Sequence, residues 1–166
     1  IEHQLQTFMV RILFILFAED TGVFNRHQFT RYLMKFTNET GNDTDMYLSK
    51  LFQVLDKSDS DRNLNLTDEL KAFPYVNGHL FKERIDMPSF TADMRDQLLQ
   101  CCLFNWKDIS PAIFGSLFQS IMDKEARRNL GAHYTSETNI LRLIEPLFLN
   151  NLKDEFNKAN SLKQNK

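Results

Sequence analysis

The amino-acid sequence predicts an all-α protein, an irregular multi-helix bundle interrupted by one non-helical Pro/Gly loop. Three observations carry this reading. Apolar residues recur at helical spacing in one segment after another. Residues that stop or start helices, such as Thr21-Gly22 and Ser110-Pro111, fall between those segments. No strand pattern alternates with the helical ones, and no repeat period is visible.

Residues 2–19 place Leu5, Phe8, Met9, Ile12, Leu13, Leu16 and Phe17 at helical spacing, with Val10, Phe14 and Ile15 on the other sides. This helix is therefore expected at the centre, buried on most faces. A second helix over residues 26–37 puts Phe29, Leu33 and Phe36 on one side, and a polar loop with Gly41 follows. A third over residues 44–55 carries Tyr47, Leu48, Leu51, Phe52 and Leu55, with Thr44 or Asp45 as its cap. Residues 56–65 are rich in Asp, Ser and Asn and read as the most flexible loop.

Pro74 and the turn signal Asn77-Gly78 forbid a plain helix over residues 73–81. Phe73, Val76, Leu80 and Phe81 are expected to pin this loop to the core, with a short hairpin near Asn77-Gly78 as an open alternative. A helix over residues 91–104 turns Met94, Leu98, Leu99 and Cys102 inward. The next starts with Ser110 as cap and Pro111 at its first position and runs to about residue 122. Gly131 allows a turn, Ser136 suits an N-cap, and residues 139–152 are again apolar at helical spacing. Residues 157–166 are polar and lysine-rich, a frayed tail or linker.

Composition bounds the function. With 166 residues there is enough chain for a real core, and 42% hydrophobic against 25% charged residues excludes wholesale disorder. The longest apolar run, residues 12–18, is far too short to span a bilayer. Cys101 and Cys102 are adjacent and poorly placed to bridge, which points to a cytoplasmic compartment. A net charge of −2 argues against tight independent binding to nucleic acid.

Several blocks line up with one family. They are Leu13-Phe14-Ile15-Leu16-Phe17-Ala18-Glu19-Asp20-Thr21-Gly22-Val23-Phe24, then Phe73-Pro74-Tyr75-Val76-Asn77-Gly78-His79-Leu80-Phe81, then residues 105–119 beginning Asn105-Trp106-Lys107-Asp108, and last Gly131-Ala132-His133-Tyr134-Thr135-Ser136-Glu137. In that order, across about residues 8–152, they resemble the MmeI-like restriction–modification enzymes. Those are single chains joining a nuclease, a helical spacer, an adenine-N6 DNA methyltransferase and a target-recognition domain. The resemblance implies that residues 1–129 are the helical spacer domain. Residues 130–157 would be the opening motif and first helix of the methyltransferase domain, and residues 158–166 a polar tail or linker. A chain that opens on Ile1 and stops at that threshold is expected to be a piece of a longer enzyme.

The last block is similar to the Gly-x-x-Tyr-Thr segment that touches S-adenosylmethionine in adenine-N6 methyltransferases. The resemblance therefore implies that Tyr134 and Thr135 line the cofactor pocket in the full-length enzyme, while this fragment is expected to bind no cofactor itself. The competing reading is that Thr135 and Ser136 only cap the last helix. Arg127 and Arg128, just before this threshold, are the candidates to touch DNA phosphates in the full-length enzyme.

Glu19 and Asp20 sit at a helix C-terminus, where their charge opposes the macrodipole. A structural ion pair with Arg11, Arg26, Arg127 or Arg128 is the expected compensation. A metal site is not expected: His133 and Glu137 make only two ligands, and Asp56, Asp59 and Asp61 are out of phase with a calcium loop. Cys101-Cys102 reads as core packing, and so does Trp106 with Pro111 and Phe114. There is no Gly-x-x-x-x-Gly-Lys-Ser/Thr phosphate loop, nor an Asn-Pro-Pro-Tyr/Phe catalytic motif. The expected function is a non-catalytic helical spacer that positions nuclease and methyltransferase domains of the same chain on double-stranded DNA, with no membrane partner. The alternative is a protein-interaction module of a phage-defence methyltransferase lacking a nuclease.

Overall fold

The computed structural model describes residues 2–76, 78–113, 115–116 and 137–164, which form two compact units, Ile1–Ile121 and Met122–Lys166. Among the described residues the regular elements are all helical and there is no strand, so the hairpin alternative near Asn77-Gly78 finds no support at Gly78 and lies at Asn77 outside the described residues.

In the first unit, α1 (Glu2–Asp20) buries Phe8, Ile12, Ile15, Leu16 and Ala18 on the core. Its buried face is rotated from the most apolar stripe: Leu5 and Met9 are half exposed, whereas Arg11 and Glu19 are buried. Two polar side chains with good partners thus displace apolar ones from the interior. Helix α2 (Gln28–Phe36) starts after His27, whose φ of 56° closes the turn that begins at Gly22, and packs Phe29, Tyr32 and Leu33 inward. Helix α3 (Thr44–Leu55) has Asp43 at its N-cap position, not Thr44 or Asp45. The Asp43 carboxylate faces back to accept the Asn38 N–H at 3.0 Å.

Residues 56–65 are more ordered than their composition suggests. They include a 3₁₀ turn, Asp59–Asp61, and are followed by a single helical turn, α4 (Asp68–Lys71), in a stretch that reads as irregular. The aromatic loop is pinned as expected. Phe73 and Phe81 are buried, and the Val76 N–H donates to the Leu55 carbonyl at the end of α3 at 2.9 Å. Helix α5 (Ala92–Cys101) is capped by Thr91, whose Oγ1 accepts the Met94 N–H at 3.3 Å. Leu98 and Cys102 point inward as expected, but Met94 is exposed and Arg95 takes the buried place. A 3₁₀ turn, Trp106–Asp108, sets Trp106 partly buried against the core, its ring edge-on to Phe104. Ser110 then caps the next helical residues: its Oγ accepts the Ala112 N–H at 3.3 Å.

The second unit contains α6 (Glu137–Ile144), a π-helical segment (Glu145–Leu149) and α7 (Asn150–Gln164). Pro146 has no N–H for an α-helical bond, which accounts for the local widening. Helix α7 continues through residues expected to be a frayed tail, because no Gly or Pro interrupts residues 150–164. No described helix is long and apolar enough to cross a membrane.

Candidate functional site: a scaffold locked by buried charge

The end of α1 is a junction for two other elements. The Glu19 carboxylate accepts the Phe29 N–H at 2.6 Å, the Thr30 N–H at 3.4 Å and the Thr30 hydroxyl at 2.8 Å. His27, the N-cap residue of α2, makes no side-chain cap of its own, so Glu19 caps α2 from the preceding helix. Its neighbour Asp20 accepts the Trp106 N–H at 2.7 Å, the first amide of the later 3₁₀ turn. The arginine expected to pair with them is not the partner among the described residues. Helix and turn amides compensate the two charges instead, while Arg127 and Arg128 lie outside the described residues.

Three arginines complete the lock. Arg11 is 2% exposed and clamps the aromatic loop, donating from Nε to the Leu80 carbonyl and from Nη2 to the Glu83 carbonyl, both at 2.7 Å. Its guanidinium lies 5.3 Å from the Phe52 ring centre and 5.6 Å from that of Phe81. Burial lowers its pKa, and the charges of Glu83 and Asp56 act in the opposite direction. Arg62 holds the polar loop down by donating to the Lys57, Val54 and Phe73 carbonyls at 3.1, 3.1 and 2.9 Å, and pairs with Asp59 at 2.8 Å. Arg95 reaches from α5 to Thr37, the C-cap of α2, through Nε to Oγ1 at 2.8 Å and Nη2 to the carbonyl at 3.3 Å. A cation at a helix C-terminus is electrostatically favoured there.

The chemistry this arrangement offers is mechanical. Glu19, Asp20, Arg11, Arg62 and Arg95 each tie one segment of the first unit to another. Among the described residues no group of three or more His, Cys, Asp or Glu could hold a metal ion. Burial pushes the Cys102 thiol up to about 12, which keeps it in the unreactive neutral form. Tyr134, Thr135, Arg127 and Arg128, the residues expected at the cofactor and at DNA, lie outside the described residues. Arg62 and Arg95 were not legible as locking residues. Their only sequence signal is a cation next to a segment that lacks apolar periodicity or beside inward positions of a helix.

Comparison with known proteins agrees with a scaffold. Residues 3–81 match the family described as the MmeI helicase spacer domain. DNA methyltransferase A of Bacillus subtilis (strain 168) is 43% identical over 153 residues, which cover 92% of this chain and 17% of that protein. The solved structure of the Type IIL restriction–modification enzyme MmeI in complex with DNA matches with a TM-score of 0.68 and 52% identity, over 95% of this chain and 21% of that one. The chain thus spans about a fifth of the length of the relatives it matches. Residues 3–81, carried on α1 to α4 and the aromatic loop, thus belong to the MmeI helicase spacer family, and the chain as a whole is similar to one part of MmeI-like restriction–modification enzymes.

Proposed function

We propose that this chain is the rigid connector of a single-chain restriction–modification enzyme, setting the distance between an endonuclease and an adenine-N6 methyltransferase on double-stranded DNA. The observation that carries this is the 52% identity, over 95% of the chain, with an enzyme solved on DNA. The buried charged links supply the stiffness a spacer needs. No observation favours the alternative of an interaction module.

In this reading residues 1–129 are the spacer and residues 130–157 the methyltransferase threshold, with the polar end leading onward. The full-length enzyme works in the cytoplasm and uses S-adenosylmethionine as methyl donor. Tyr134 and Thr135 form part of the wall of that cofactor's pocket, and Arg127 and Arg128 contact DNA phosphates. The methyl transfer to a flipped adenine is done by residues outside this chain.

The test is to insert four residues of helix after Ile121, where the two units divide, in the full-length enzyme and map cleavage. A turn adds about 5.4 Å, so the cut should move by about one to two base pairs while the methylated sequence stays the same. An unchanged cut distance in an enzyme that still methylates would refute the ruler.

A further inference from the structure

A cleft of about 380 Å³ opens between α3 and the segment after Phe81. The Arg11 guanidinium, flanked by the Phe52 and Phe81 rings, lines it from inside. Lys57, Lys82 and Arg84 line it from outside. These three side chains are exposed, and none forms an ion pair among the described residues. Two carboxylates, Asp56 and Glu83, share the lining, and Glu83 is engaged by His3 at 3.5 Å. Four cations therefore face two acids in a protein whose net charge is −2. Concavity against an aromatic, low-dielectric wall focuses that positive potential at the mouth. Arg11 makes both of its hydrogen bonds to neutral carbonyls, and the Glu83 and Asp56 carboxylates act on it through their charge alone.

We infer that this cleft receives a backbone phosphate of double-stranded DNA, contacted by Lys57, Lys82 and Arg84. The inference rests on the restriction–modification reading, which brings DNA to the enzyme. It adds a second, sequence-independent hold by the spacer itself. Phosphate contacts of this kind set register along the duplex and carry no base information. Arg11 is a positioning residue here: it fixes the loop bearing Lys82 and Arg84 and adds its charge from below.

The experiment uses the full-length enzyme with Lys57→Ala, Lys82→Ala and Arg84→Ala combined, and measures affinity for a duplex carrying the target at several salt concentrations. Losing one phosphate contact should flatten the salt dependence by about 0.9 in slope. The advantage of the wild type should grow about three- to four-fold between roughly 200 and 50 mM salt. The loss should be the same for duplexes with and without the target. The charge-preserving set Lys57→Arg, Lys82→Arg and Arg84→Lys should restore the slope. A wild-type slope in a variant that still methylates overturns the inference and leaves the restriction–modification reading standing. A wild-type slope with cleavage lost would assign the cleft to a neighbouring protein segment, and also overturns it. A full-length wild type that neither methylates nor cuts DNA would instead bring down the underlying reading.

Discussion

Glu19, at the end of α1, accepts the Phe29 backbone N–H at 2.6 Å and so caps a helix ten residues further along the chain. The carboxylate is 4% exposed, so water cannot take its place. Glu19→Ala should leave that buried amide and the Thr30 hydroxyl unpaired and cost about 2–3 kcal/mol. Glu19→Gln keeps an acceptor and loses mainly the charge–dipole attraction, about 1 kcal/mol. Denaturant unfolding of the two variants tests this ordering. Equal stability would show that the cap contributes nothing.

Arg11 joins α1 to the loop some seventy residues away, through the Leu80 and Glu83 carbonyls. Arg11→Met keeps much of the volume between the Phe52 and Phe81 rings and loses both hydrogen bonds. It should cost about 3 kcal/mol and free residues 78–86 for proteolysis before the bundle unfolds. Arg11→Lys should be intermediate, because an ammonium cannot reproduce the fork of a guanidinium. Limited proteolysis with mass readout checks both. Cleavage in this loop unchanged from wild type would exclude the clamp.

What could be read from the residues, and what could not, divides along sequence separation. The α3 bounds, Thr44–Leu55, follow from local periodicity, and so do the start of α1 and the Ser110-Pro111 helix start. The outward turn of Leu5 and Met9 does not, because their burial depends on which side of α1 the rest of the chain covers. Apolar counting also ranks Arg11, Glu19 and Arg95 as surface, whereas each is buried by partners far along the chain. The same blindness made the Asp56–Asn65 stretch look loose, since Arg62 reaches out of it to Val54 and Phe73. The readings of Tyr134, Thr135, Arg127 and Arg128 rest on family resemblance and lie outside the described residues. A short polar motif has no packing pattern of its own from which a role can be read.

Gly41 marks the tightest approach between two segments. It has a φ of +76°, and a Cβ there would collide with the Thr91 carbonyl oxygen. That oxygen accepts the Arg95 N–H in the first turn of α5, so neither backbone can yield easily. Gly41→Ala should therefore cost about 2–4 kcal/mol, combining left-handed strain with a clash. Gly22→Ala has nearly the same φ, +81°, in open space and should cost only about 1 kcal/mol. Thermal unfolding of the pair separates the two effects. Equal losses would mean that the α2–α3 turn is not packed on α5.

Cys102 supplies a pH signature of the intact core. Burial is the main reason its thiol is pushed up to about 12 from an ordinary value near 9, against the opposing hydrogen bond with Thr30. The folded chain thus keeps a proton that the unfolded chain gives up at lower pH. By linkage, this stability is fully present below pH 9 and is lost progressively as pH rises toward 12. Tyr32, whose phenol is also raised by burial, acts in the same direction above its ordinary 10. Cys102→Ala should make the decline between these pH values shallower without abolishing it, because Tyr32 still contributes. Denaturant midpoints across the alkaline range provide the measurement, and thiol labelling provides a second. Exposed Cys101 should react rapidly in the native protein and Cys102 only on unfolding. Equal labelling rates at neutral pH would mean that the end of α5 is not closed over by α2 and the junction at Glu19.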